Sequence, residues 1–276
     1  MQHAQQRFRE HGIGLVGVSY DSQAILKDFS DRQGITYALL ADPKSEIIRR
    51  FGVLNPAATE FTKGMAFPGF IYAGPDGRIR DTFFEKQYGA RYTANNIISK
   101  LFPELAETDT RTLSAPHLQL GLSQSDLIVG PGSRVTLTVE VTLPADIHVY
   151  APGAKGYKPV ELRIDQAPEV STRPARFPAS KVLYLPAIRE AVPVFERKFK
   201  ISQDVVVSYN EGFMRSLQSE NNGQGRTIKV AGTLYYQACD EKVCYLPDKA
   251  AVSWDLLVKP LDTARAPKEI QHTENP

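Results

Sequence analysis

Tyr235-Tyr236-Gln237-Ala238-Cys239-Asp240-Glu241-Lys242-Val243-Cys244-Tyr245-Leu246-Pro247 carries both cysteines of this 276-residue chain. Thr227 to Tyr236 before it and Ala251 to Val258 after it alternate apolar and polar residues, the period of half-buried strands. Four residues between the cysteines suit a hairpin loop. The cysteines then face each other across antiparallel strands. Opposed residues of a non-hydrogen-bonded pair have Cα atoms ~4.5 Å apart, near the lower end of what a disulfide accepts.

Such a pair can be a redox centre, a structural staple, two ligands of a metal, or two inert thiols. Closing a loop of about six residues stabilises a fold by roughly 2 kcal/mol, against about 4.7 for a hundred-residue loop. A bridge meant for stability does better between distant strands. A zinc site needs about four ligands, and His3, His11, His117, His148 and His272 show no ligand spacing with the pair. Lys242 favours a thiolate, while Asp240 and Glu241 oppose it, so charge does not select the attacking sulfur.

Outward from the hairpin, Leu118 to Val258 reads as all-β. Short alternating runs recur at Arg134 to Thr142, Val194 to Ile201, Thr227 to Tyr236 and Ala251 to Val258, punctuated by Pro and Gly as in a β-sandwich. Asp204, beside Val205-Val206-Val207, reads as a turn cap, and Arg189 and Glu190 as a solvated loop. Residues 1 to about 105 have a different pattern. Ile13 to Ser19 is a near-continuous apolar run, as in a strand buried on both faces. A helix follows from Ser22 to Gln33, stopped by Gly34. Tyr37 to Leu40 is a strand, and Asp42-Pro43 caps a helix bearing Ile47, Ile48 and Phe51. Pro68 to Ala73 and Ile79 to Phe84 form a hairpin through Gly74-Pro75-Asp76-Gly77. Thr93 caps a last helix. This is an α/β layer pattern. The expected organisation is an α/β domain over 1–105, a linker over 106–116, an all-β sandwich over 117–260 and a disordered tail over 261–276.

Bulk properties exclude some classes. Net charge is +2, which gives no electrostatic case for nucleic acid or an anionic membrane surface. No window supplies the ~18 to 20 apolar residues of a membrane-spanning helix. The polar start, Met1 to Glu10, lacks the apolar core of a signal peptide. No phosphate loop, dinucleotide fingerprint or nucleophile elbow is present, and no cofactor is expected.

The 235–247 stretch resembles the N-terminal domain of the thiol:disulfide interchange protein DsbD. Gln237, Cys239, Cys244, Tyr245 and Pro247 fit that family's motif, with one residue fewer between the cysteines than in its best-known members. Ile147-His148-Val149-Tyr150-Ala151-Pro152 looks like the strand beside the pair, and Leu183-Tyr184-Leu185-Pro186 like the loop that caps it. The resemblance covers about residues 117 to 258. It implies an immunoglobulin-like fold and a reversible Cys239–Cys244 disulfide. The domain would take electrons from a thioredoxin-like redox protein or a membrane electron donor, in a periplasmic or other extracytoplasmic compartment. His148 is then a candidate for tuning the cysteines, with an ordinary half-buried strand histidine as the alternative. Tyr150, Tyr236 and Tyr245 are candidates for shielding the sulfurs, with ordinary sandwich tyrosines as the alternative, and Tyr184 shapes the site from the capping loop.

Residues 1–105 resemble the AhpC/TSA peroxiredoxin and thioredoxin-like family. The matching pieces are Val16-Gly-Val-Ser-Tyr-Asp21, Leu40-Ala-Asp-Pro43, Phe51-Gly-Val-Leu54, Phe67-Pro68-Gly69 and Pro75-Asp-Gly-Arg78. Pro68 stands where that fold carries a cis-proline beside its active site. The family's first strand and the start of its first helix, with the reactive cysteine, have no counterpart here, and no cysteine precedes Cys239. The segment therefore reads as a partial thioredoxin-like domain, truncated rather than degenerate, because losing a central strand leaves a sheet edge unpaired. Three functions follow as expectations: a thiol–disulfide relay through Cys239 and Cys244; a peroxiredoxin-like antioxidant whose peroxide-reactive cysteine lies upstream; or a binding module with a static disulfide.

Overall fold

A computed structural model describes all residues except 60–61, 86, 88, 106–108, 186–188, 220–223, 241 and 272–276. Pro186, Glu241 and His272 thus lie outside the described residues. The chain divides into two compact units, Met1–Ala94 with Asp262–Pro276, and Asn95–Leu261. It is a partial thioredoxin-like α/β unit and an immunoglobulin-like β-sandwich.

In the first unit the Val16–Ser19 strand pairs in parallel with Ala38–Ala41. The Gly69–Ala73 strand pairs antiparallel with Ile79–Phe84. The helix Gln23–Gln33 starts at Ser22, whose hydroxyl accepts from the Ile25 amide, and ends at Gly34, which is left-handed at φ 61°. The carboxylate of buried Asp42 accepts from the amides of Glu46 and Ile48 at 2.8 and 2.9 Å, and so caps the helix Glu46–Arg50. Three expectations are corrected. Val16 and Val18 are exposed rather than buried on both faces, because a two-stranded parallel sheet offers little cover. The Phe67–Pro68 peptide is trans, following the tertiary amide's ordinary preference of about 0.5–1 kcal/mol. The tail is not wholly irregular. Asp262 takes hydrogen bonds from Arg32 and Gln33, and Lys268–Ile270 is a 3₁₀ turn.

The sandwich core follows from alternation. In the Ser133–Thr142 strand, Val135, Leu137, Val139 and Val141 are all fully buried. They face the layer that carries Leu234, Trp254 and Leu256. Full burial of each such side chain contributes about 1.5–3 kcal/mol. One sheet runs in the order 170–172, 198–207, 133–142, 118–124, 111–115. A second runs 161–164, 226–236, 248–258, 128–129, and a third runs 181–185, 190–196, 148–150, 238–239.

The linker reading is corrected at Arg111–Ala115, a strand paired with Leu118–Gln124. The helix Ala94–Leu101, read as the close of the first domain, groups with the sandwich from Asn95 onward. Asn95 and Asn96 donate to Asp126 and Thr136, and Lys100 pairs with Asp204 at 3.0 Å. The run Val194 to Ile201 is two strands, Glu190–Glu196 and Lys198–Val207, broken at Arg197, whose φ is +57°. A helix, Glu211–Ser219, interrupts the all-β pattern and seats Phe213 and Leu217 on the core.

Asp204 is no turn cap. It lies within a strand, is buried, and receives Arg176 at 2.8 Å, Lys100 at 3.0 Å and Arg134 at 3.2 Å. Thr136 Oγ1 donates to it at 2.8 Å. Burial alone would raise this carboxyl's pKa. The hydrogen bonds from Arg176 and Thr136 and the charge of Lys100 outweigh burial and hold it well below the usual carboxylate range.

Candidate functional site

The long Arg226–Tyr236 strand leads through Gln237 into Ala238–Cys239. That short piece pairs with the His148–Tyr150 strand, placing His148 opposite Cys239 and Val149 opposite Ala238. The chain then reverses. Asp240 shapes the turn: its backbone amide donates to the Val243 carbonyl at 2.9 Å, and its Oδ1 accepts from the amides of Lys242 and Val243, both at 2.7 Å. A short polar side chain that bonds its own downstream backbone favours such turns. Oδ2 accepts the Tyr245 hydroxyl at 2.9 Å. The two amide bonds and this hydroxyl lower the Asp240 pKa, and the same bond raises that of Tyr245. Gln237 Nε2 donates to the Tyr245 carbonyl at 3.0 Å, and the His117 ring stacks on Tyr245 at 3.8 Å.

This frame holds Cys239 and Cys244 opposite each other as a disulfide, with Cα atoms 4.1 Å apart. Their surroundings differ sharply. Cys239 is 0% exposed and packs with Tyr150, Val192 and Val194. Cys244 is exposed. The Tyr150 hydroxyl lies 3.2 Å from Cys244 Sγ and 3.5 Å from Cys239 Sγ. Neither sulfur of a disulfide carries a proton, so the tyrosine is the donor. Burial, with Glu190 nearby, raises the Tyr150 pKa, which keeps that proton in place.

Tyr157 stacks on Tyr150 at 4.2 Å and donates to Glu190 Oε2 at 2.8 Å. That bond, with burial, pushes the Tyr157 pKa up to about 12. His148 is buried, meets Tyr150 edge-on at 5.8 Å, and its Nε2 has no hydrogen-bond partner among the described residues. Burial lowers its pKa despite the opposing pull of Glu196 and Asp240.

Of the residues singled out from sequence, Cys239, Cys244, His148 and Tyr150 come together. Gln237 and Tyr245 brace the turn. Tyr236 is buried in the main core and donates to the Pro116 carbonyl at 2.9 Å; burial pushes its pKa up to about 12. Tyr184 is 58% exposed, while its neighbour Leu183 packs on the Cys239 cluster. Pro247 is exposed just beyond the turn, and Pro68 belongs to the other unit. The sequence reading does not single out Tyr157, and it puts Glu190 in a solvated loop. Glu190 opens a strand rather than a loop, and no spacing links it to a tyrosine thirty-three residues earlier.

Residues 1–82 match the model of the AhpC/TSA family. Residues 122–255 match that of the thiol:disulfide interchange protein DsbD, N-terminal. Peroxiredoxin bcp1 of Schizosaccharomyces pombe (strain 972 / ATCC 24843) is 40% identical over 42 residues, 15% of this chain; the chain spans 22% of that relative. Among solved structures, the N-terminal periplasmic domain of ScsB from Proteus mirabilis has 14% identity and a TM-score of 0.36, over 55% of this chain and 52% of that one. The reduced DsbD N-terminal domain of Neisseria meningitidis has 13% identity and a TM-score of 0.29, over 59% and 94%. The chain therefore joins a segment that matches the AhpC/TSA family to one that matches the N-terminal domain of the thiol:disulfide interchange protein DsbD.

Proposed function

We propose that the chain is a thiol–disulfide relay acting through a reversible Cys239–Cys244 disulfide. The observation that carries this is the unequal exposure of the two bonded cysteines, Cys239 buried and Cys244 exposed. A donor thiolate reaches Cys244 Sγ from solvent, and its attack forms a mixed disulfide and breaks the internal bond. Cys239 leaves as a thiolate, with the Tyr150 hydroxyl in reach to donate a hydrogen bond to it. The donor's second thiolate then attacks its own sulfur in the mixed disulfide and releases Cys244 as a thiolate. Two electrons have moved: the donor becomes a disulfide and this chain a dithiol. Run backwards against an oxidised partner, the same steps pass the electrons on. Val243 and Leu246, which flank Cys244 and are 54% and 88% exposed, give a partner an apolar contact beside the reacting sulfur.

The match of residues 122–255 to the DsbD N-terminal family supports this chemistry. It also favours a thioredoxin-like protein or a membrane electron donor as partner, and a periplasmic setting. No helix among the described residues is long and apolar enough to cross a membrane. Equilibration with a thioredoxin redox couple tests the proposal: free thiols at Cys239 and Cys244 support it, and a pair that stays oxidised sinks it.

A second reading rests on the match of residues 1–82 to the AhpC/TSA family. In it the whole protein is a peroxiredoxin-like antioxidant, and the sandwich reduces a peroxide-reactive cysteine. Cys239 and Cys244 are the only cysteines in this sequence, so that cysteine would lie outside it. Peroxide consumption by this chain with a thiol reductant should then be no faster than by its Cys239→Ser/Cys244→Ser variant.

A further inference from the structure

One cross-strand row runs through the cysteine site. Glu196 is the register partner of His148, His148 of Cys239, and Cys239 of Cys244. Directly opposed residues share a face of the sheet, with Cβ atoms ~4.5–5.5 Å apart. A carboxylate, an imidazole and a sulfur thus stand side by side on three neighbouring strands. Tyr150, two residues beyond His148 on the same face, reaches both sulfurs with its hydroxyl.

His148 is 6% exposed, and its Nε2 has no hydrogen-bond partner among the described residues. A buried ring nitrogen without a partner costs free energy, so packing alone does not account for a histidine here. Among the described residues, the charged and titratable groups about the ring come from four directions. Glu196, itself paired with Lys181 at 3.0 Å, is on one side, and Cys239 is on the other. The Asp240 carboxylate acts on it from the turn, and the Tyr150 phenol meets it edge-on.

Exchange puts a new charge into this row. Cys239 is 0% exposed, and attack on Cys244 leaves its sulfur as a thiolate. Burying an uncompensated charge is costly. The Tyr150 hydroxyl offers a hydrogen bond but keeps its proton, because burial raises its pKa. An imidazole changes charge close to neutral pH, and an opposite charge within ~4–6 Å favours its protonated form. While the disulfide is closed no thiolate faces the ring, and burial favours the neutral form.

We propose, on the relay reading above, that His148 takes up a proton when the disulfide opens and stands as an imidazolium beside the Cys239 thiolate. The donor dithiol loses two electrons and two protons. The electrons break the Cys239–Cys244 bond; one proton ends on Cys244 and the other on His148. Return of the electrons to an oxidised partner reverses each transfer. Cys239 is then already a thiolate when it attacks Cys244 in the mixed disulfide.

The test follows the assigned His148 ring resonance of the full chain against pH by NMR. One sample is oxidised and the other is reduced with excess phosphine, which needs no protein partner. The resonance is expected to titrate at higher pH in the reduced chain. A second arm reads the Cys239 thiolate by ultraviolet absorbance near neutral pH in Cys244→Ser. Adding His148→Gln, which keeps a polar side chain but does not titrate, should lower the thiolate-to-thiol ratio about tenfold or more. A melting curve checks that variant's fold, and the first arm needs no variant. Identical titration of His148 in both redox states, or an unchanged thiolate ratio in a folded variant, overturns the proposal even where thioredoxin reduces the pair. A shifted His148 in a chain that phosphine reduces and thioredoxin does not supports the proton coupling and sinks the relay.

Discussion

The Tyr150 hydroxyl sits 3.2 Å from Cys244 Sγ, on a side chain that is fully buried. The same oxygen is 3.5 Å from Cys239 Sγ, so one phenol proton serves whichever sulfur leaves. Hydrogen bonds to charged groups are worth about 1.5–3 kcal/mol. Tyr150→Phe keeps the ring and its stacking on Tyr157 while removing that donor. Reduction of the disulfide by dithiothreitol should slow by about tenfold or more, and the pKa of the Cys239 thiol in the reduced protein should rise. Stopped-flow kinetics and thiolate absorbance against pH measure the two. An unchanged thiol pKa would assign Tyr150 a packing role alone.

The two cysteines should react unequally when each stands alone. In Cys239→Ser the remaining Cys244 is exposed; in Cys244→Ser the remaining Cys239 is buried. Ellman's reagent should label Cys244 roughly tenfold faster or more, since labelling of Cys239 waits on local opening. A thioredoxin without its resolving cysteine should then displace thionitrobenzoate from Cys244 and accumulate as an adduct on non-reducing gels. Equal labelling and equal trapping in both variants would contradict the assigned direction of attack.

Much of this site was legible beforehand. Alternation gave the Arg134 to Thr142 strand nearly to the residue, and hairpin spacing placed Cys239 against Cys244. The resemblance brought His148 and Tyr150 beside them. What stayed hidden depends on tertiary packing. The turn at Arg197 needs a left-handed arginine that no local propensity announces. The Tyr157–Glu190 bond joins residues with no shared period. Asp204 looked local, beside three valines, yet its partners come from a helix about a hundred residues away and from two further segments. Exposure, which separates Cys244 from Cys239, has no sequence signal in a hairpin this symmetric.

Asp204 should prove a stability hub. Breaking a buried ion pair by removing one partner costs about 3–5 kcal/mol, because the charges left behind are uncompensated. Asp204→Ala should lose about that much in urea unfolding. The pH dependence has a definite sign. The folded pKa lies below the unfolded value of about 3.9, so the stabilisation is complete above that value and disappears as pH falls through the folded one. The variant should lack this acid-dependent loss. A variant as stable as the parent near neutral pH would show that the network is dispensable.

His148 titrates with a definite sign as well. Burial lowers its folded pKa, so the neutral form belongs to the fold. As pH falls below about 6.5, the unfolded chain takes up the proton first and stability declines until the folded pKa is passed. His148→Gln should flatten the stability profile just below about pH 6.5. A profile identical to the parent's over that range would place the acid sensitivity elsewhere.

The reduction potential of the Cys239–Cys244 pair tests the central claim most directly. Purified chain is equilibrated across graded thioredoxin and glutathione redox buffers, and free thiols are counted after acid quench. A relay disulfide should titrate above about −300 mV, within reach of a thioredoxin couple near −270 mV. A pair still fully oxidised at thioredoxin-like potentials would contradict exchange and leave a static brace for the hairpin.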